Sequence, residues 1–306
     1  MSKTTLAVLG TGLLLAAGAT ASSAAECHFD RTLTVGAPTV LAVNTGSGNI
    51  KVTPGSDTQI HITGTVRSSH GWMGGDGSNE QQVQAVCNQP PIEQSGNDVT
   101  IGRGHDDKYR HVSIDYVIEA PRSTSVNANT GSGNLEVTDI EGTLSGNTGS
   151  GDVRVANIGA DARLQTGSGN IHADGVRGAA KLETGSGDIH VQQTAGGDMR
   201  ASTGSGGIEI AGLNGGLYAE TGSGGIHVEG TPTSNWRLNT GSGDIRLNLP
   251  GGKGFDLDAQ TSSGDINVKQ PITMQGSLSK HHVQGVVQGG GPTIRIETGS
   301  GDIEIR

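Results

Sequence analysis

The chain has 306 residues, a formal charge of −10, 53 glycines and only seven aromatic side chains (2 Trp, 3 Tyr, 2 Phe). Gly at that level with few aromatics excludes an ordinary layered globule and points to a regular array that keeps its aliphatic residues in register. The acidic balance argues against nucleic acid or an anionic membrane surface as the partner.

In chain order, residues 1–25 read as a secretory signal. Lys3 supplies the positive start, Leu6 to Ala19 an apolar run interrupted by Gly10 and Gly12, and Ser23 and Ala25 the small residues of a cleavage site before Glu26. The apolar run is shorter than the ~20 residues of a membrane span. Cleavage would remove only Lys3 among charged residues, leaving 30 acidic against 19 basic side chains, or −11. No membrane span is expected in the mature chain. Glu26 stands where a lipobox wants a small residue, so Cys27 is not read as a lipid anchor. In an oxidising compartment Cys27 and Cys87, the two cysteines of the chain, are expected to form a disulfide.

Residues 26–122 are less regular and are expected to form a β-rich N-terminal cap. One copy of the word T-G-S-G occurs at Thr45, followed by Gly-rich loops around Gly71–Gly77 and Gly102–Gly104. Ser78, with Val83 and Val86 downstream, predicts a short capped helix. Between Tyr109 and Ala120 the residues Val112, Ile114, Tyr116 and Ile118 alternate as one face of a strand.

From residue 123 the repeat takes over. The word begins at Thr130, Thr148, Thr166, Thr184, Thr203, Thr221, Thr240, Thr261 (as T-S-S-G) and Thr298, with steps of 18 to 21 residues and a last step of 37. Positions four and two before each Thr, and five and seven after it, are apolar or Gly throughout; Leu164, Ile171, Leu182, Ile189 and Val191 are examples. Period two on both sides of a Gly turn predicts two short strands per unit, each with one buried face. One unit cannot bury its own stripe, so the units stack, with the Thr side chains forming an inward ladder. The fold class expected is all-β: a parallel β-solenoid of ~18-residue, two-strand coils. Antiparallel hairpins are the rival architecture. The 37-residue step is read as two coils with one degenerate motif between them. Residues 271–291, including His281 and His282, are expected to loop out.

The pattern aliphatic-x-T-G-S-G-D-I-x-V, ending in T-I-R-I-E-T-G-S-G-D-I-E-I-R, resembles a bacterial family of exported β-strand-repeat domains of unknown function known as putative adhesins. The resemblance covers nearly the whole mature chain and implies the fold. It carries over no catalytic or binding residue, and fold alone does not fix function.

Two outward columns invite metal chemistry. Asp152 and Asp188, alternating with Asn134 and Asn170 just after the turns, offer hard oxygen ligands for calcium between coils. The nonapeptide calcium rolls place an extra residue between Gly and Asp, and the alternation equally relieves like-charge repulsion along a ladder. His172 and His190, one coil apart, with Glu209 on the next, could share a zinc ion; the plainer reading is a solvated mixed-charge column. Ten turn serines without a G-x-S-x-G elbow or a base are assigned to turn hydrogen bonding. No catalytic residue and no cofactor are expected. The functional expectation is a non-enzymatic, exported envelope protein, periplasmic or at the surface. It would be an adhesin or scaffold, monomeric, with an unidentified protein or glycan ligand. The alternatives are a fibre-forming subunit and a Ca-binding β-roll module.

Overall fold

A computed structural model describes residues 25–68, 78–102, 112–274 and 279–306. The expected signal segment (apart from Ala25), the expected Gly-rich loop at Gly71–Gly77 and the stretch 103–111 therefore lie outside the described residues.

The repeat units stack in parallel and in register, and the fold is all-β and solenoid-like. Leu144–Thr148 pairs with Thr124–Thr130 on one side and Ala162–Thr166 on the other, Thr148 opposite Thr130 and Thr166. After the turn, Val153–Ala156 lies between Leu135–Thr138 and Ile171–Val176 in the same way. Each chain segment thus contributes one strand to each of two ladders. Among the described residues antiparallel pairing is confined to the ends of the stack. Identical residues at equivalent positions then stand about 4.8 Å apart along the stack.

The four apolar columns are buried as their spacing predicts, with Trp236, Leu238, Ile245 and Leu247 at 1% exposure or less in one late coil. Each of the aliphatic side chains in these columns contributes about 1.5–3 kcal/mol by leaving water. A fifth column closes the third side of the coil: Ile140, Ile158, Val176, Leu213 and Leu249 are buried, with Gln193 in the same row. The chain bends into it through left-handed residues, Asp139 (φ 56°), Asn157 (φ 55°), Gly175 and Gly212. Asn and Asp tolerate that conformation and Gly costs nothing there. Buried Gln193 satisfies its amide by donating to the carbonyls of Gly178 (3.2 Å) and Gly197 (3.1 Å).

At the N-terminal end, Val112–Ala120 runs parallel to Ile50–Pro54 and antiparallel to Gln59–Ser68, which pairs with Glu26–Thr34. The helix Ser78–Asn88 forms where expected and packs over Glu26–Thr34 and Gln59–Ser68, with Val83 and Val86 buried. Cys27 and Cys87 are bonded, tying the first strand to this helix.

The other end departs from the expected order in two respects. The strand Thr293–Ser300 pairs with Ile226–Ser242 on one side and Phe255–Ser263 on the other. Ile294 therefore faces both Trp236 and Leu257, and Thr298 both Thr240 and Thr261. Ile303–Ile305 is likewise set between Ile245–Asn248 and Ile266–Val268. The 37-residue step is thus no pair of successive coils: the last motif is inserted before the coil that precedes it in sequence. Nor do residues 271–291 simply loop out. Ile272–Met274 and His282–Val287 form a hairpin that extends the ladder antiparallel to Phe255–Ser263, and the His282 imidazole Nε2 lies 3.0 Å from Asp258 Oδ1. Val283 and Val287 alternate inward, which gives the hairpin its own buried edge.

The coil carrying Ile266 and Val268 ends one ladder, so these two are only half-buried. It is held by Glu304, which accepts from Lys269 (2.9 Å) and from Arg306 (2.9 and 3.0 Å). Those donors, Arg306 first, hold the Glu304 carboxyl at about 2, against an ordinary value of 4.5. The folded pKa lies below the unfolded one, so the stabilisation is complete above about pH 4.5 and lost as pH falls through about 2. A carboxyl NMR titration is expected to place the Glu304 midpoint near 2, and Lys269→Met to move it upward. A midpoint near 4.5 would show the bridge is not made in solution.

Candidate functional site

The turn edge is built from two residue types. From Thr130 to Thr203 the Thr hydroxyl points inward, donates to the backbone of the preceding coil and accepts from its own turn, while Thr221 and Thr240 donate in the same way. Thr184 Oγ1 donates to Gly169 O (2.8 Å) and accepts from Gly187 N (3.2 Å), and Thr166 and Thr203 repeat this. The hydrogen bonding expected of the turn serines is thus done by Thr; Ser150, Ser168 and Ser186 are exposed at the tips. Thr184→Val, equal in shape, would strand a buried carbonyl and a buried N–H. A loss of about 2 kcal/mol is expected in urea unfolding, whereas Ser186→Ala should change nothing measurable.

The Asp/Asn column is a second spine. Each side-chain Oδ1 accepts the backbone N–H of the equivalent residue one coil on: Asn134 from Asp152 (2.9 Å), Asp152 from Asn170 (2.9 Å), Asn170 from Asp188 (2.9 Å) and Asp188 from Gly207 (2.8 Å). It resumes with Asp244 accepting from Asp302 (3.0 Å) and Asp302 from Asp265 (2.9 Å). Asp152 and Asp188 are therefore two coils apart, each with one oxygen committed to the backbone. Gly207 and Gly225 interrupt the column, and the interruption opens a notch of about 340 Å³ bordered by Asp188, His190, Glu209, His227, Asp244 and Arg246.

The candidate metal residues divide into pairs. His172 and His190 stack face to face, with centroids 5.1 Å apart and planes 15° apart. His172 Nε2 lies 2.9 Å from Asp174 Oδ2, and His190 Nδ1 lies 3.1 Å from Glu209 Oε2. Stacked rings aim their nitrogens sideways rather than at a common point. His190 and Glu209 are brought together, and His172 is turned to a carboxylate of its own coil. Among the described residues no group of three His, Cys, Asp or Glu side chains is placed to hold a metal ion.

The opposite ladder carries an outward basic column. Arg163, Lys181, Arg200, Tyr218, Arg237 and Arg295 occupy successive positions along the stack. Arg200 lies 4.1 Å over the Tyr218 ring, whose hydroxyl donates to Glu220 (2.6 Å). That bond first, then burial, raises the Tyr218 pKa above its ordinary value. Lys181 pairs with Glu183 at 2.8 Å, and this contact, with a further bond from Gln165, lowers the Glu183 pKa. Beside Arg163 and Lys181 a shallow trough of about 500 Å³ runs over Ser125, Asn127 and Ser145 toward Val40. The residues of this column stand in the sequence at the positions between the apolar ones, Arg163 and Arg237 among them, each three residues before the Thr of its motif. Gly207 and Gly225 occupy the Asp/Asn position of their motifs, but the hydrogen bond to the next coil has no trace in the sequence.

Two solved structures resemble the chain. One is a putative cell adhesion protein from Clostridium sporogenes, 12% identical, with a TM-score of 0.20, covering 91% of this chain and 99% of that one. The other is a putative adhesin from Bacteroides fragilis, 13% identical, with a TM-score of 0.40, covering 92% of this chain and 97% of that one. At those values neither bears on what this chain binds. No curated protein matches the sequence. The model of the Toastrack DUF4097 family matches residues 32–306, nearly the whole repeat-bearing chain with its N-terminal strands. The chain belongs to the Toastrack DUF4097 family.

Proposed function

We propose that this chain is a non-enzymatic, exported protein of the cell envelope, a rigid rod for adhesion or scaffolding. The observation that carries the reading is the outward chemistry of the stack. Polar side chains recur coil after coil in continuous columns on both ladders, a surface suited to holding an extended partner along its length. Residues 1–25 act as the signal, residues 26–122 as the cap at one end, and residues 123–306 as the rod. The Cys27–Cys87 bond suits an oxidising compartment. A fibre built by end-to-end stacking is disfavoured, because the free edge strand Ile266–Val268 has three residues and is soon followed by Pro271.

Protease treatment of intact cells, with opened cells as control, tests the placement. Cleavage on intact cells supports a surface role in adhesion. Protection until the envelope is opened would confine the protein to the periplasm and remove adhesion to outside partners. Resistance to neither, with the chain found in the cytosol, would overturn export.

A further inference from the structure

The interruption at Gly207 and Gly225 leaves two backbone donors without the acceptor that their neighbours have. By the rule of the column, the N–H of Gly225 would be accepted by a side chain at 207, and the N–H of Asp244 by one at 225. Glycine supplies neither, and among the described residues no other acceptor takes these two N–H groups. Nothing in the backbone demands glycine there. A Cβ at 207 would come no closer than 3.7 Å to any atom, and at 225 no closer than 3.3 Å, which a small shift relieves. Neither residue has a positive φ. The contrast is with Gly206, one residue earlier, where a Cβ would lie 2.5 Å from the Gly187 carbonyl carbon. Gly206 is required by the stack; Gly207 and Gly225 are not.

The result is a slot two coils long, about 10 Å, lined by acyl acceptors at both ends and donors in its floor. Asp188 closes one end, and the Asp244–Arg246 pair (2.7 Å) the other. The His190–Glu209 pair and His227 form the flank. The chemistry of the missing groups follows from the column itself. In the stretch leading up to the slot a neutral amide stands between carboxylates, as Asn170 does between Asp152 and Asp188, whereas the stretch beyond it, Asp244, Asp302 and Asp265, is all carboxylate and has Arg246 paired with Asp244. A third carboxylate placed between Asp188 and Asp244 would meet like charge on both sides, whereas a carboxamide accepts with its oxygen and donates with its nitrogen.

We propose that this slot binds the acetamido group of an N-acetylated glycan. The acetamido carbonyl accepts the Gly225 N–H, its own N–H donates to a flanking carboxylate, and the sugar hydroxyls meet His190, His227, Glu209 and Arg246. A notch of about 340 Å³ has room for a sugar ring beyond the acetamido group itself, more than an Asn or Gln side chain of a protein partner would fill. The proposal names a ligand class for the envelope role above. It is tested on purified protein, so its outcome and that of the cell-surface experiment are independent.

The probe is a tetramer of β-1,4-linked N-acetylglucosamine, titrated into isotope-labelled protein while backbone amides are followed by NMR. Saturable shifts centred on the Gly225 and Asp244 amides are expected, with no such response to the de-N-acetylated tetramer, to acetate or to free N-acetyl-asparagine amide. The G207N/G225N variant, which rebuilds the column, is expected to bind at least tenfold more weakly while melting about 2–4 °C higher. Its gain in stability separates lost binding from lost folding. The proposal is overturned by no shift at these amides, by equal shifts from acetate or the de-N-acetylated tetramer, or by wild-type binding by G207N/G225N. A response to the asparagine amide equal to that of the sugar would assign the slot to a protein partner and overturn it as well.

Discussion

Gly187→Ala is expected to cost about 4 kcal/mol or more in urea unfolding, one of the largest losses available to a single methyl group in this chain. The Cβ would lie 2.5 Å from the carbonyl carbon of Gly169 and 3.0 Å from Asn170 N. Both are backbone atoms of the coil below, so no rotamer change relieves the overlap. Gly187 has no positive φ, and the demand for glycine is one of space between coils rather than of torsion. The same residue also donates its N–H to Thr184 Oγ1, so displacing it breaks the inward hydrogen-bond chain. Because each coil contacts only its neighbours, the damage weakens two interfaces at once. Gly46→Ala is the control: it meets nothing within 4 Å and should fall within about 0.5 kcal/mol of the wild type. A small effect at both positions would mean the coils can separate, and the close stacking described here would be wrong.

Removal of the Cys27–Cys87 bond is expected to cost about 4 kcal/mol, because it closes a loop with a sequence separation of 60. What the bond protects is local. The helix Ser78–Asn88 packs on the first strand and on Gln59–Ser68, and it follows a stretch outside the described residues. Freed of its tether, the helix has Val83 and Val86 as its main apolar anchors. In Cys27→Ser/Cys87→Ser, hydrogen exchange is expected to rise first in this helix and in Glu26–Thr34, while the coils from Thr130 onward keep their protection. Wild-type protein in reductant should match the variant. Uniform loss of protection along the whole stack would show instead that the cap and the coils unfold as one unit.

Much of this architecture was legible in the sequence, for a plain reason. A parallel stack places residue i of one unit beside residue i of the next, so burial is written as column identity. The apolar columns and the inward Thr row both follow from it. Order is what identity cannot encode. Thr298 fits against Thr240 as well as against Thr261, and a motif that stacks on any copy of itself does not say which copy it chooses. The insertion of Thr293–Ser300, and of Val112–Ala120 beside Ile50–Pro54, was hidden for that reason. The third-side column was missed because Ile140, Ile158 and Val176 stand alone, without a partner two residues away to reveal a strand. At the candidate site the residues were visible but their bonding was not. Asp152 and Asp188 looked like free ligands, yet each already serves the backbone of the next coil.

Most of the rod can assemble like a zip, each coil docking on the one just formed, with pairings only 18 or 19 residues apart in sequence. Beyond Thr240 that mode stops. Phe255–Ser263 finds no place on Ile226–Ser242, because the intervening berth belongs to a strand that arrives some 58 residues after Trp236. The segment 250–306 must therefore settle as a single clasp, slow to close and slow to open by comparison with the coils before it. A chain arrested before residue 293 would carry a finished rod with its final coil adrift, its apolar residues Leu257 and Ile266 open to degradation. The last coil is thereby made to wait on the arrival of Thr293–Ser300.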